Sequence, residues 1–284
     1  MPDMIDGMYI SLNGTLTANR VDWPDFARLA AKTGFLGVDV NLAKAMQAGE
    51  GATKVLLAET RLKPAILGLP VEFRKEDADF RKGMPGLAEA AQFATAIGCP
   101  RMSTWMLPSS PVPKPELRKI YLDRLRAVCE ILARSHVRLA LEFVSPVHLR
   151  KLYPHEFIYR MDETLELVKD IGLNAGLMLD SWHWYHAGAT VKDILAAGKD
   201  RIVYVQAADA PKLPPDQIKD NERLMPGEGV IDFNAFFGAL KKIGYNGGVS
   251  PEVFGRGLKD IPPEEGAKLG LKTTTEVMRK AGVL

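Results

Sequence analysis

Between residues 8 and 280 short apolar runs alternate with amphipathic helical stretches, and four runs in the second half each stop on a metal-ligand residue type. They read Leu139-Ala140-Leu141-Glu142, Leu177-Met178-Leu179-Asp180, Val203-Tyr204-Val205-Gln206 and Val249-Ser250-Pro251-Glu252. Short buried strands separated by helices are the pattern of a parallel α/β sheet. Strands are predicted at residues 8–12, 37–40, 64–69 and 101–106, followed by the four runs. Helices are predicted at 24–33, near 53–61, and at 86–97, 116–135, 161–171, 191–197, 233–243 and 264–280. Asp22 is the expected N-cap of the first helix and Gly34 its stop. Eight strands and eight helices in 284 residues suit a single (β/α)8 TIM barrel over residues 1–284, since that fold takes about 250 residues. The Pro-rich stretch 107–115 reads as a βα loop, because the alternation resumes after it.

In a parallel barrel the C-terminal ends of all strands meet at one mouth. Glu142, Asp180, Gln206 and Glu252 would converge there. Burying three carboxylates without a partner is prohibitively costly, and the simplest compensation is a divalent cation. Each residue alone also has a plainer reading. Glu142 could be half of a buried salt bridge, Gln206 a buried amide bonded to backbone, and Glu252 an exposed loop residue. His183, three residues after Asp180, could be a packing aromatic beside Trp182, Trp184, Tyr185 and His186. Four such positions on four successive strands favour the metal site.

Other classes find no support. The net charge is +2 with acids and bases interspersed, so there is no electrostatic footprint for nucleic acid. No apolar run approaches membrane-spanning length, and residues 1–6 lack the basic and apolar parts of a signal peptide. A cytoplasmic enzyme is the default expectation. Cys99 and Cys129 form no C-x-x-C pair and read as buried free thiols. No G-x-G-x-x-G or Walker pattern supports a phosphorylated substrate. A homo-oligomer is left open.

The chain resembles the xylose-isomerase-like TIM-barrel superfamily, the sugar phosphate isomerases and epimerases of AP endonuclease family 2 type. The resemblance is best over residues 138–254. Besides the four runs, it rests on Leu179-Asp180-Ser181-Trp182-His183, on Val203 through Asp209, on the turn Pro226-Gly227-Glu228-Gly229 leading to Val230-Ile231-Asp232-Phe233, and on Ile243-Gly244-Tyr245-Asn246-Gly247-Gly248. It implies metal ligation by Glu142, Asp180, Gln206 and Glu252, and a substrate contact for His183. It also implies a basic substrate contact at Lys212, where an arginine is more usual, with Arg223 as the substitute. The departure is Gln206, which stands where the family has histidine, although hydroxypyruvate-isomerase-like relatives share the glutamine. The resulting all-oxygen shell favours Mn²⁺ or Mg²⁺, with Co²⁺ or Zn²⁺ still compatible.

The expected activity is that of an isomerase or epimerase of a small keto sugar or hydroxy-keto acid. The metal would polarise the carbonyl, and Glu142 and Glu252 would remove and return a proton. Trp105, Trp182 and Trp184 are candidate pocket walls against sugar C–H faces. Two other classes stay open: a metal-dependent dehydratase or lyase of a keto sugar or keto-cyclitol on the same site, and a non-catalytic sugar-binding barrel. An abasic-site endonuclease is disfavoured, because five histidines and no basic surface signal do not suit its histidine-rich metal cluster.

Overall fold

The computed structural model describes residues 7–172 and 174–284, so the leaderless start read at residues 1–6 lies outside it. The eight long strands are β1 (Tyr9–Leu12), β2 (Gly37–Val40), β3 (Lys63–Gly68), β4 (Arg101–Met106), β5 (Arg138–Phe143), β6 (Ala175–Asp180), β7 (Ile202–Ala207) and β8 (Gly248–Pro251). They run parallel and close on themselves in chain order, with β8 pairing back to β1. This is a single (β/α)8 TIM barrel.

Strand periodicity divides its side chains between two apolar regions. On β5, Leu139, Leu141 and Phe143 point outward and pack under the helices, whereas Ala140 joins Tyr9, Ile66, Met178 and Tyr204 inside the barrel. Continuing inward by two residues from Ala140, Met178 and Tyr204 gives Glu142, Asp180 and Gln206. The apolar spacing in the sequence therefore aims these three at the C-terminal mouth. Cross-strand register then brings them together: Asp180 lies beside Gln206, Gln206 beside Ser250, and Glu142 beside Trp105.

Most predicted elements fall within two residues of the observed ones, including Gly37–Val40, Arg101–Met106, Met161–Ile171 and Val191–Ala197. The helix predicted near 53–61 begins earlier, at Glu50, and ends at Thr60. Asp22 is not the cap of the first helix. That helix is Asp25–Thr33, Pro24 occupies the N-cap position, and the Asp22 carboxylate faces Lys44 at 3.7 Å. Gly34 does end it, in a left-handed conformation with φ 95° that suits glycine. Helices Leu42–Ala48, Asp77–Gly83, Val147–Arg150 and Ser181–His186 add to the predicted set, as does a ribbon pairing Ser109–Ser110 with His155–Glu156. Cys99 and Cys129 are buried free thiols, as expected. Among the described residues no helix is long and apolar enough to cross a membrane.

Candidate active site

Asp180 ends β6 and also starts the helix Ser181–His186, its Oδ1 accepting from the Trp182 amide at 2.9 Å. Such a cap fixes the carboxylate and places His183 one turn on, beside it. Ser181 ties this corner to β7 by exchanging two hydrogen bonds with Ala208, at 2.7 and 3.0 Å. Glu142, Asp180 and His183 each offer a ligand atom within 4.8 Å of the others. Gln206 donates from Nε2 to Glu252 Oε1 at 2.9 Å. All four residues singled out at strand ends thus face one region.

A cation already stands among them. Arg223, only 2% exposed, donates from Nη1 to Asp180 Oδ2 at 2.7 Å and to Glu252 Oε2 at 3.1 Å. Its Nη2 donates to Asp220 Oδ1 at 3.0 Å. The salt bridge to an arginine is therefore present, but on Asp180 and Glu252 rather than Glu142. Arg223 is delivered by the loop from β7. Asp209 and Leu224 exchange backbone hydrogen bonds at 2.9 Å, and the Asp209 carboxylate accepts from the amides of Gly227, Gly229 and Ile231. The specific Pro226–Gly229 turn of the sequence is the clamp of this loop.

One guanidinium does not balance Glu142, Asp180, Glu252 and Asp220. Burial raises the Glu142 carboxyl well above its ordinary range, and the charges of Glu252 and Asp180 add to the effect. Burial also lifts Asp180 to about 7 against the pull of Arg223. Two buried acceptors, Glu142 Oε1 and Gln206 Oε1, have no hydrogen-bond partner among the described residues. Orphaned buried oxygens call for an ion or a donor. Glu142, Asp180, Gln206 and Glu252 offer a hard, all-oxygen donor set, which fits a divalent cation. That ion would compete with Arg223 for Asp180 and Glu252.

His183 is not suited to ligate through Nε2 in this arrangement. The Ser145 amide donates to its Nδ1 at 3.2 Å, so neutral imidazole carries its proton on Nε2. That Nε2 lies 3.7 Å from Glu142 Oε1 and 3.2 Å from Arg223 Nη2, another donor. Burial, reinforced by the Arg223 charge, holds the ring neutral.

A cavity of about 460 Å³ opens at the mouth, with Glu142, Met178, Gln206 and Glu252 on one wall. Trp105 lines it as expected: it is 41% exposed and carries the Arg74 guanidinium 3.9 Å from its ring centroid. Trp182 does not. It is 0% exposed and lies behind Arg223, edge-on to His186, because the six-residue helix turns it away from the mouth. Trp184 packs on Phe236 in the outer core. Lys212 is exposed on the loop after β7 and is absent from the cavity wall, and Asp180, His183 and Arg223 lie buried behind that wall rather than on it. Sequence reasoning missed Asp39, Arg74, Ser145 and Asp220. Asp220 and Arg223, three apart in one loop, were the only local signal.

The chain is similar to known proteins in sequence and in fold. Over 227 residues the chain is 27% identical to an inosose isomerase of Halalkalibacterium halodurans, covering 77% of this chain and 76% of that relative. Over 102 residues it is 34% identical to a 3-dehydroshikimate dehydratase of Pseudomonas aeruginosa, a stretch covering 35% of this chain and 16% of that protein. A xylose isomerase domain protein from Alicyclobacillus acidocaldarius superposes with a TM-score of 0.88 at 27% identity, over 97% of this chain and 99% of that one. The family model for xylose isomerase-like TIM barrels matches residues 27–279, and the chain belongs to that family.

Proposed function

We propose that this protein is a divalent-metal-dependent isomerase or epimerase of a small keto sugar or hydroxy-keto acid, with Glu142 and Glu252 as its acid–base pair. One observation carries the reading. Two glutamates from strands three apart in the ring face one cavity in unlike settings. Glu252 accepts from Gln206 and Arg223, whereas Glu142 Oε1 accepts from no donor among the described residues. Both carboxyls are raised by burial, but only Glu252 has a bonded cation to pull it back. Unequal proton affinities on one substrate are what an acid and a base require.

A divalent ion held by Glu142, Asp180, Gln206 and Glu252 would supply Lewis acidity at a substrate carbonyl. The oxygen-only donor set favours Mn²⁺ or Mg²⁺ over Zn²⁺. One glutamate takes the proton from the carbon next to the carbonyl. The other returns a proton to the former carbonyl carbon while the neighbouring hydroxyl proton passes to the former carbonyl oxygen, giving an isomerase, or returns it to the opposite face of the same carbon, giving an epimerase. His183 Nε2–H donates to a substrate oxygen as charge builds on it. Arg223, released from the carboxylates, does the same. Trp105 offers an apolar face for C–H groups at the cavity rim. The partial match to a dehydratase favours one second reading, in which the carbanion expels a β-hydroxyl as water. A non-catalytic sugar binder does not need two glutamates so arranged.

The test is proton exchange in heavy water with Mn²⁺ and a panel of ketoses, inososes and 2-oxo acids. Deuterium should enter at a carbon beside the carbonyl of at least one compound. Glu142→Gln or Glu252→Gln should slow turnover about 10²–10⁴-fold. Tight binding of a panel member with no exchange would instead establish the sugar-binding barrel.

A further inference from the structure

The wall of the cavity opposite the ligands carries a carboxylate that the mechanism above does not use. Asp39 lies on β2, half-buried and facing the cavity. Its Oδ1 accepts from Ser11 Oγ at 2.7 Å and from Tyr204 Oη at 2.5 Å. Its Oδ2 accepts from Asn13 Nδ2 at 3.0 Å. Asn13 cannot turn its amide over, because its Oδ1 already accepts from the Thr15 amide and hydroxyl. Tyr204 reaches Asp39 across the barrel from β7, two residues before Gln206, so one strand supports both walls.

These donors, and the Ser250 hydroxyl that also acts on the Asp39 carboxylate, are all uncharged. Oδ2 accepts from Asn13 at 3.0 Å and belongs to a rigidly held group that lines the cavity, where it can accept a further hydrogen bond. The surrounding charge is one-sided. Among the described residues Asp22, Asp39, Glu142 and Glu252 line the cavity with one guanidinium, Arg74, while Lys44 stands 3.7 Å from Asp22 and Arg223 is bonded to Glu252 behind the wall, so Asp39 is the lining carboxylate with no cation at hand. Arg74 is itself neutralised by a two-pronged pair with Glu72, at 2.7 and 2.6 Å. A divalent ion would offset Glu142 and Glu252 on the far wall and leave Asp39 uncompensated. A substrate end bearing a carboxylate or phosphate would meet repulsion there, whereas a hydroxyl would find an acceptor.

We propose that Asp39 is a specificity-determining residue that accepts a hydrogen bond from a substrate hydroxyl, so that the cavity takes an uncharged polyhydroxy ketone and rejects acidic or phosphorylated analogues. This rests on the function proposed above for the identity of the cavity, and it narrows the substrate class within that function. Burial lifts the Asp39 carboxyl to about 6, which leaves it ionised, and an acceptor only, at neutral pH.

The experiment is calorimetric binding of two probes to the Mn²⁺-treated protein: an inosose, which is a neutral ring ketone, and 2-keto-gluconate, which adds a carboxylate. The wild type should bind the inosose about tenfold or more tighter. Asp39→Asn should erase most of that preference, weakening the inosose by about tenfold or more and relieving the acid. Tyr204→Phe removes one donor from Asp39 without altering the cavity lining. It should move the preference in the same direction by less, and it carries the test if Asp39→Asn fails to fold. A wild type that prefers the acid or binds neither probe overturns the proposal. Equal weakening of both probes by Asp39→Asn also overturns it, since a mere staple across the barrel would behave so. Binding requires no proton transfer, so absent exchange in heavy water would sink the catalytic reading while leaving this preference measurable.

Discussion

At the residue scale the site turns on competition for carboxylate oxygens. Arg223, itself buried, bonds the buried Asp180 and the half-buried Glu252 and Asp220. Removing one partner of a buried ion network exposes the charge of the others and costs about 3–5 kcal/mol. Arg223→Gln should therefore destabilise the metal-free protein by about that much. Saturating Mn²⁺ should recover most of the loss, because the ion would bind Asp180 and Glu252 in its place. Thermal unfolding with chelator and with Mn²⁺ measures both. Equal losses in the two conditions would mean that the carboxylates hold no ion. The four strand-end residues were legible in the sequence because strand periodicity fixes where they point. Arg223 was named there only as a substitute substrate contact, and its pairing with Asp180 and Glu252 was not legible, since its place depends on a loop fold with no periodicity. Asp39 was hidden for a different reason: its donors Ser11 and Asn13 lie 28 and 26 residues from it and Tyr204 lies 165 residues away, and only barrel closure brings them together.

At the scale of elements, the loop from β7 is the part that aims Arg223. Its clamp is the Asp209 carboxylate, bonded to three amides of the Pro226–Ile231 stretch. Gly229 is required there because an added Cβ would stand 2.2 Å from the Ala210 carbonyl oxygen and 2.6 Å from Asp209 Oδ1. Gly229→Ala should cost about 1–3 kcal/mol in unfolding free energy and also shift Arg223 off its carboxylates. Urea unfolding reads the first effect. A change in the apparent Mn²⁺ affinity reads the second, and an unchanged affinity would show that the turn does not position the arginine. The long helices and most strands were legible because their apolar period runs over several turns or a full buried run. The helix Ser181–His186 was not, since one and a half turns of Trp, His and Tyr carry no period. The misplaced Asp22 cap has a similar cause: the two residues between it and the helix include Pro24, which takes the cap position itself.

For the whole molecule, the site sets how stability depends on pH. Asp180 titrates near 7 in the folded protein against 3.8 ordinarily, and Glu142 and Glu252 are shifted upward too. The folded state therefore holds protons that the unfolded chain has already released. The stability this gives is fully present below about pH 4 and is lost as pH rises through about 7. A divalent ion displaces those protons and binds more tightly as pH rises, which reverses the trend. Melting curves from pH 5 to 8 should fall for the chelated protein and hold or rise with Mn²⁺. Parallel slopes in the two conditions would contradict the assignment. The barrel itself was legible from the alternation of eight apolar runs with helices. The internal cation was not, because charge balance is a property of the assembled mouth.

The most direct measurement is anomalous diffraction from crystals grown with Mn²⁺. The account predicts one peak within about 2.0–2.6 Å of oxygens from Glu142, Asp180, Gln206 and Glu252, with Arg223 moved off Asp180. Arg223 still bridging Asp180 and Glu252, with no peak between the four side chains, would contradict it.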